Sequence, residues 1–304
     1  MFHFVFTLPW LLVVTRFLWP LPWRVSAKAG VALVLLFAAQ YHLFSRLSSG
    51  SVFTAEMPRS LVILFNWGFS AILLLALMQV VLDLVTFAPR LVRARPPLIA
   101  PAVRYAMAGA ALALAAIGVH EAIRVPPLKD VEVRIARLPA AFDGYTLLQL
   151  SDLHISPLFP APWTQAVVAG AGWRVRYPGQ PRIFFRRASL DAAFRRPLHA
   201  PPGKPPRRHR TARRPAGPRR RDRLVRAAAA QGVALQLSGH AHGGLIVGLD
   251  RIFALANAGY VSGLYDVQGM QLYVNNGTAL WGGLALPLGK PSELTRITLR
   301  RAPG

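Results

Sequence analysis

The stretch "LLQLSDLHISP", residues 147–157, ends an apolar run with Asp152 and His154 two positions apart. A second stretch, "VALQLSGHAHGG" at 233–244, ends in the same way with His240 and His242. In extended backbone, residues i and i+2 point to one side. Each turn is therefore expected to present its pair together, with Leu153 or Ala241 turned away. Glycines 239, 243 and 244 read as permitting a tight bend and the approach of a bulky substrate. Imidazole with carboxylate suits Zn, Fe or Mn better than Ca. A lone histidine is usually packing or surface accident. Two paired sets at strand ends, in a chain with only eight histidines, point instead to metal ligation by Asp152, His154, His240 and His242. The chain has no cysteine, which excludes disulfides and thiolate ligands.

Other strand-like runs surround these turns. "VEVRIARL" (131–138) alternates apolar and polar residues, and "YTLLQLS" (145–151) is a near-continuous apolar run of the kind covered on both faces. "QLYVNNGT" (271–278) and "LTRITL" (294–299) follow, separated by Gly-rich turns. The expectation is a layered α/β domain over residues 126–301.

Residues 1–125 have a different character, holding most of the apolar excess in a chain that is 53% hydrophobic yet carries a formal charge of +24. Four stretches are candidate membrane spans: 2–23, 29–44, 61–87 and 105–123. A span needs roughly 17–25 apolar residues. A cleaved signal peptide fits the first stretch poorly, since no positive charge precedes it and no small-x-small site follows. Arg24 and Lys28 follow the first span, and Arg90, Arg93, Arg95 and Arg104 lie between the third and fourth. The positive-inside rule puts those loops in the cytoplasm and the α/β domain outside. His42, Asp83, His120 and Glu121 lie close to span ends, where snorkelling explains them.

"LSDLH", "LSGHAHGG", "GLYDVQGMQLYVNNGT" and "SELTRITL" together resemble the calcineurin-like metallophosphoesterases, in particular their membrane-anchored bacterial branch. The resemblance covers the anchor, residues 126 to about 168, and 228 to 301. It implies N-terminal transmembrane helices followed by a four-layer αββα sandwich in a multi-pass protein of the bacterial inner membrane. It also implies a site of two divalent metals, hydrolysis of phosphomonoesters or phosphodiesters by a metal-activated water, and no expected nucleic-acid partner. Carried over, Asp152, His154 and His242 would hold the first metal and His240 the second.

Several of the family's parts are missing. It has a G-D-x-x-D segment whose first aspartate bridges both metals, a G-N-H-[DE] segment, and a further metal-binding histidine before G-H-x-H. The chain has no Gly-Asp dipeptide and no asparagine between Asn66 and Asn257, and the only intervening histidines are His199 and His209. Residues 171–226 instead hold 17 arginines and one lysine against two aspartates, a net of +16, with nine prolines. No apolar periodicity survives there, so the segment is expected to be disordered and to pack no core.

Three origins for that segment stay open: a rearranged or out-of-frame stretch, a disordered insertion, or a basic arm for anionic lipid or nucleic acid. The shortage of lysine favours the first, because Arg, Pro, Ala and Gly are what GC-rich codons encode. With these losses, at most one well-held metal and an impaired hydrolase are expected. The rivals are a non-catalytic membrane protein whose basic arm binds anionic lipid or nucleic acid, and a single-metal binder without turnover.

Overall fold

The computed structural model describes residues 2–92, 99–171 and 218–303. Over these it divides into two compact units. The first comprises Met1–Arg124, His154–Pro162 and Leu280–Leu288; the second comprises Val125–Leu153, Trp163–Ala279 and Gly289–Gly304.

The first unit is helical. Helix α1 (Phe2–Leu12) runs into a π-helical turn at Val13–Leu18; α2 (Val25–Ala39) is followed at a 43° bend by α3 (Tyr41–Ser49). Gly50, in the left-handed conformation at φ 74°, closes α3 by donating its N–H to Arg46 O. Two long helices follow, α4 (Arg59–Val92) and α5 (Pro101–Ile123), the latter starting on the proline favoured at a first helical position.

Among the described residues two segments are long and apolar enough to cross a membrane, Arg59–Phe87 and Pro101–Ile123, and the bent α2–α3 pair adds a third if it acts as one span. At 1.5 Å per residue these two are about 43 and 35 Å long, against a hydrocarbon core of about 30 Å. The first expected span is shorter than its sequence suggests. Its apolar helix covers only Val5–Leu18 and stops before Pro20.

The snorkelling reading of the polar groups needs correction. Asp83 accepts two hydrogen bonds from the Arg16 guanidinium, at 3.1 and 3.0 Å, and a third from Gln79. Arg104, buried in the same unit, donates to the carbonyls of Arg16 and Phe17 and to Gln79 Oε1. His42 is only 1% exposed and stacks on Phe6 with ring centroids 3.7 Å apart. Contacts with neighbouring helices, an ion pair for Asp83 and ring stacking for His42, accommodate these two groups. Glu121 does sit at a helix end, paired with Arg124 at 3.0 Å.

The second unit holds two three-stranded sheets. In the first, β1 (Leu128–Ile135) lies parallel to β6 (Leu294–Arg301), and β2 (Thr146–Gln149) runs antiparallel on the other side of β6. In the second, β5 (Met270–Val274) is central, with β3 (Leu235–Ser238) parallel and β4 (Gly263–Val267) antiparallel to it. The hairpin β4–β5 turns on Gln268 and Gly269, both at positive φ, as a two-residue turn matched to strand twist requires.

The inner faces of the sheets share one core. Val133, Ile135, Ile297 and Leu299 of the first sheet bury against Tyr273 of the second, with Leu147, Leu235 and Leu237 packed on them. The alternation of β5 sends its other side chains outward. Met270, Leu272 and Val274 bury with Val225 and Ala228 of helix α7 (Pro218–Ala230). Two shorter helices, α6 (Ala161–Gly170) and α8 (Asp250–Ala256), lie at the chain's crossings between strands.

The outer face of the first sheet is charged and exposed. Arg296 pairs with Asp130, and Glu132 pairs with both Arg134 and Arg300. The Arg296 hydrogen bond holds the Asp130 carboxyl below its usual range. The described residues therefore form a mixed α/β sheet–sheet–helix arrangement, and they do not display the four-layer sandwich.

Two expectations shift. Among the described residues strand β2 is half-buried and bonds only to β6, rather than being covered on both faces. Its apolar run is used on one side by the inter-sheet core and ended early by the turn at 150–154. Of the Arg/Pro-rich segment, residues 172–217 lie outside the described residues. Its tail is helical from Pro218, and Val225 is 1% exposed in the core. Packing resumes before Ala227 because the side chain of Val225 falls on the apolar face of α7.

Candidate metal centre

The two turns singled out in the sequence follow β2 and β3. Strand β2 ends at Gln149, and the chain then enters the turn that carries Asp152 and His154. Strand β3 ends at Ser238 and leads into His240 and His242. The sheet pairing continues past the strand ends and holds the turns in place. Asn275 N donates to Ser238 O at 2.8 Å, Thr278 N to Ser151 O at 2.8 Å and Ala279 N to Asp152 O at 3.2 Å. Gln149 Nε2 also reaches Ser238 O, at 3.0 Å.

The backbone at the four expected ligands is not extended. Asp152 (φ 51°), His154 (φ 41°), His240 (φ 80°) and His242 (φ 45°) all adopt the left-handed region. Non-glycine residues enter that region rarely and at a cost of order 1–3 kcal/mol, and they cluster at functional sites. Half of the positive-φ non-glycine residues among those described are these four. Asp152 and His154 are thus brought to one side by a strained turn rather than by strand alternation, and the second turn contributes His242 without His240.

Within this geometry Asp152, His154 and His242 each offer a ligand atom, all within 4.8 Å of one another. Asp152 and His242 belong to the second unit, and His154, two residues along the chain from Asp152, is counted with the first. Two imidazoles and a carboxylate form a donor set suited to a borderline transition metal such as Zn, Mn or Fe. His240 is exposed and outside this group. Its backbone N–H donates to Asp152 Oδ2 at 2.9 Å, so it ties the two turns together through the main chain.

His242 is fully buried, and its Nδ1 lies 3.1 Å from Asn276 O. A protonated Nδ1 donating to that carbonyl leaves Nε2 as the coordinating nitrogen and fixes the ring, the usual outer arrangement of a metal-bound histidine. Gly243 (φ 60°) and Gly244 (φ 79°) make the expected tight bend, and all three glycines also meet the chain's own crowding. A Cβ on Gly239 would fall 2.6 Å from Asp152 Oδ2, and one on Gly243 would fall 2.6 Å from Asn276 Oδ1. Gly244 lies equally tight against the backbone of Asp250.

Sequence reasoning missed the residue that organises this loop. Glu293, 5% exposed, accepts from Tyr273 Oη at 2.9 Å and from Asn276 N at 3.1 Å, and pairs with Lys129 Nζ at 2.8 Å. Its own N–H donates to Gly277 O, and its carbonyl accepts from Thr278 Oγ1. Burial works against the charge of Lys129, but the hydrogen bond and charge of Glu293 prevail and hold the ammonium above its usual range. Burial pushes the neighbouring Tyr273 phenol up. The available signal was an acid placed at the mouth of an apolar strand, in a chain with 12 acidic residues.

No protein-family model, curated protein or solved structure matches the chain. The arguments for a function therefore rest on the motifs and on this geometry.

Proposed function

We propose that the chain is a membrane-anchored phosphoesterase of the calcineurin-like type, reduced to one metal position and impaired as a hydrolase. The observation that carries this reading is the convergence of the D-x-H and G-H-x-H turns, which brings one ligand atom each from Asp152, His154 and His242 within 4.8 Å of one another. The left-handed backbone at all four motif residues supports it, as does the orientation of His242 by Asn276.

When bound, a divalent ion at these residues would polarise a phosphoryl oxygen and acidify a water. The chain's own residues divide the remaining work. Asp152 supplies negative charge while its second role, accepting the His240 N–H, keeps the two turns in register. His242 is held to one tautomer by Asn276 O. His240 stands exposed beside the group. The donor set fits one ion. A second would have His240 alone, since the segments that carry the bridging aspartate and the asparagine ligand are missing from the sequence. The four-layer sandwich belongs to the same reading.

The membrane orientation follows from α4 and α5 alone. The stretch between the spans ending at Phe87 and starting at Pro101 carries Arg90, Arg93 and Arg95, and the positive-inside rule assigns it to the cytoplasm. The residues after α5 then lie on the exterior side of a bacterial inner membrane, whether two, three or four spans precede them. The basic-arm reading places its ligand on residues 172–217, outside the described residues, and gains no support from this geometry.

The test is hydrolysis of bis(p-nitrophenyl) phosphate by the purified full chain with added Mn. Slow turnover is expected, lost in His242→Ala and unchanged in His240→Ala. Fast turnover that His240→Ala abolishes would mean a complete two-metal site and overturn the one-metal reading.

A further inference from the structure

The helical unit is unevenly charged along its length. Helices α4 and α5 run antiparallel, since Trp67 Nε1 donates to Leu112 O at 3.1 Å while Arg104 donates to Gln79 Oε1 at 3.2 Å. Asp83 lies four residues before Phe87, and Arg104 three residues after Pro101, about 6 and 4.5 Å inside the same end of the apolar segments. Arg16 pairs with Asp83 there, and Arg104 caps the carbonyls of Arg16 and Phe17. The bundle's own packing uses both of these guanidinium groups.

The turn after α1 and the start of α2 belong to this end as well. Trp23 Nε1 donates to Tyr105 Oη, one residue past Arg104, at 3.0 Å. Lys28 Nζ donates to Trp19 O at 2.7 Å and lies 5.5 Å above the Trp19 ring, which occupies one of its three donors. Arg24, the residue before α2, is exposed, and its guanidinium has no partner among the described residues. Trp19 and Trp23 on either side are 59% and 38% exposed.

Arg16, Arg24, Lys28 and Arg104 thus stand against Asp83, a net side-chain charge of +3 among the described residues at this end. At the opposite end Arg46, Arg59 and Arg124 stand against Glu56 and Glu121, a net of +1. Around the basic end, Val25, Leu84 and Phe87 are 66%, 67% and 56% exposed. Two available cations beside tryptophans, at the edge of an apolar belt, match a ligand that is anionic at its head and apolar below. A soluble anion gains nothing from that belt.

We propose that Arg24 and Lys28, between Trp19 and Trp23, bind the phosphate of an anionic phospholipid whose acyl chains lie against the apolar residues beside them. A headgroup of net negative charge is favoured over a zwitterionic one by about fivefold in affinity for each cation. The assignment rests on the membrane reading of α4 and α5 and is independent of the metal centre.

The experiment titrates the full chain in detergent micelles with dioleoyl phosphatidylglycerol and with dioleoyl phosphatidylcholine, and native mass spectrometry counts the bound lipid. The first phosphatidylglycerol is expected to bind at least tenfold more tightly than the first phosphatidylcholine, and tenfold excess inorganic phosphate should not displace it. Arg24→Gln, at an exposed position without a partner, should weaken phosphatidylglycerol about fivefold. The double variant Arg24→Gln/Lys28→Gln should bring it to the phosphatidylcholine level, while Arg46→Gln at the opposite end changes nothing. Wild-type near-ultraviolet circular dichroism in Arg24→Gln shows that its loss is not one of fold. Equal affinity for the two lipids, a preference that survives the double variant, or displacement by inorganic phosphate overturns the lipid assignment while leaving the membrane reading intact. A chain that stays in solution without detergent and does not enter phosphatidylcholine nanodiscs overturns the membrane reading, and the lipid assignment with it.

Discussion

Glu293→Ala is expected to destabilise the α/β unit by about 3 kcal/mol, the scale of removing one partner from a buried ion pair. The substitution strips the acceptor from Tyr273 Oη, from Asn276 N–H and from Lys129. Two of those donors are buried, and leaving a buried polar group unsatisfied costs about 1–3 kcal/mol each. Lys129 adds less, because its side chain is 47% exposed and water screens the charge. Glu293→Gln keeps the shape and one acceptor and should cost about half as much. Thermal unfolding of the full chain in detergent, followed by near-ultraviolet circular dichroism, reads the difference.

The pH dependence of that difference has a definite sign. The folded state raises the Lys129 ammonium above lysine's ordinary 10.5, with burial opposing the shift and Glu293 dominating it. Its stabilisation is therefore complete below that ordinary value and is lost as pH rises through the folded-state value. The gap between wild type and Glu293→Ala should stay constant through neutral pH and narrow only in the alkaline range. An unchanged unfolding temperature for Glu293→Ala at neutral pH would show that Glu293 does not organise the Asn276 loop.

The second large effect is expected from Asp152→Ala. It removes the only carboxylate of the metal group and the acceptor that ties His240 N–H to the first turn. Loss of a residue that merely orients a ligand costs about 10–100-fold in metal affinity. Loss of the carboxylate itself should exceed about 100-fold, read by competition with a chelator of known affinity. Asp152→Asn retains an acceptor for His240 N–H, so it separates the two roles: the turn stays in register while metal affinity falls. Wild-type affinity in Asp152→Ala would remove Asp152 from the site.

Much of the α/β unit was legible in the sequence because alternation reports one-sided burial. "VEVRIARL" places Val133 and Ile135 inward and Glu132 and Arg134 outward, as found in β1. Strand β4 was not legible as a strand, although Gln268–Gly269 marks its hairpin; Gly263–Val267 carries little alternation by itself. The long apolar helices α4 and α5 were legible from length and composition. The first expected span was overread, because apolar composition does not reveal where a helix stops, and the π-turn before Pro20 stops this one.

At the site, residue types and spacing identified both turns, but the backbone conformation that presents them was misjudged as extended. Asn276 and Glu293 escaped because their roles depend on contacts 34 and 17 residues apart along the chain, joined only by the fold. His42 and Asp83 escaped for the same reason, their partners Phe6 and Arg16 lying on another helix.

The central claim is that Asp152, His154 and His242 hold one divalent ion and that His240 does not take part. Metal content of the purified full chain after equilibration with Mn and desalting tests it most directly, compared across wild type, His240→Ala and His242→Ala. The account predicts one equivalent in wild type, one in His240→Ala and none in His242→Ala. Two equivalents in wild type falling to one in His240→Ala, or metal retained in His242→Ala, would contradict it.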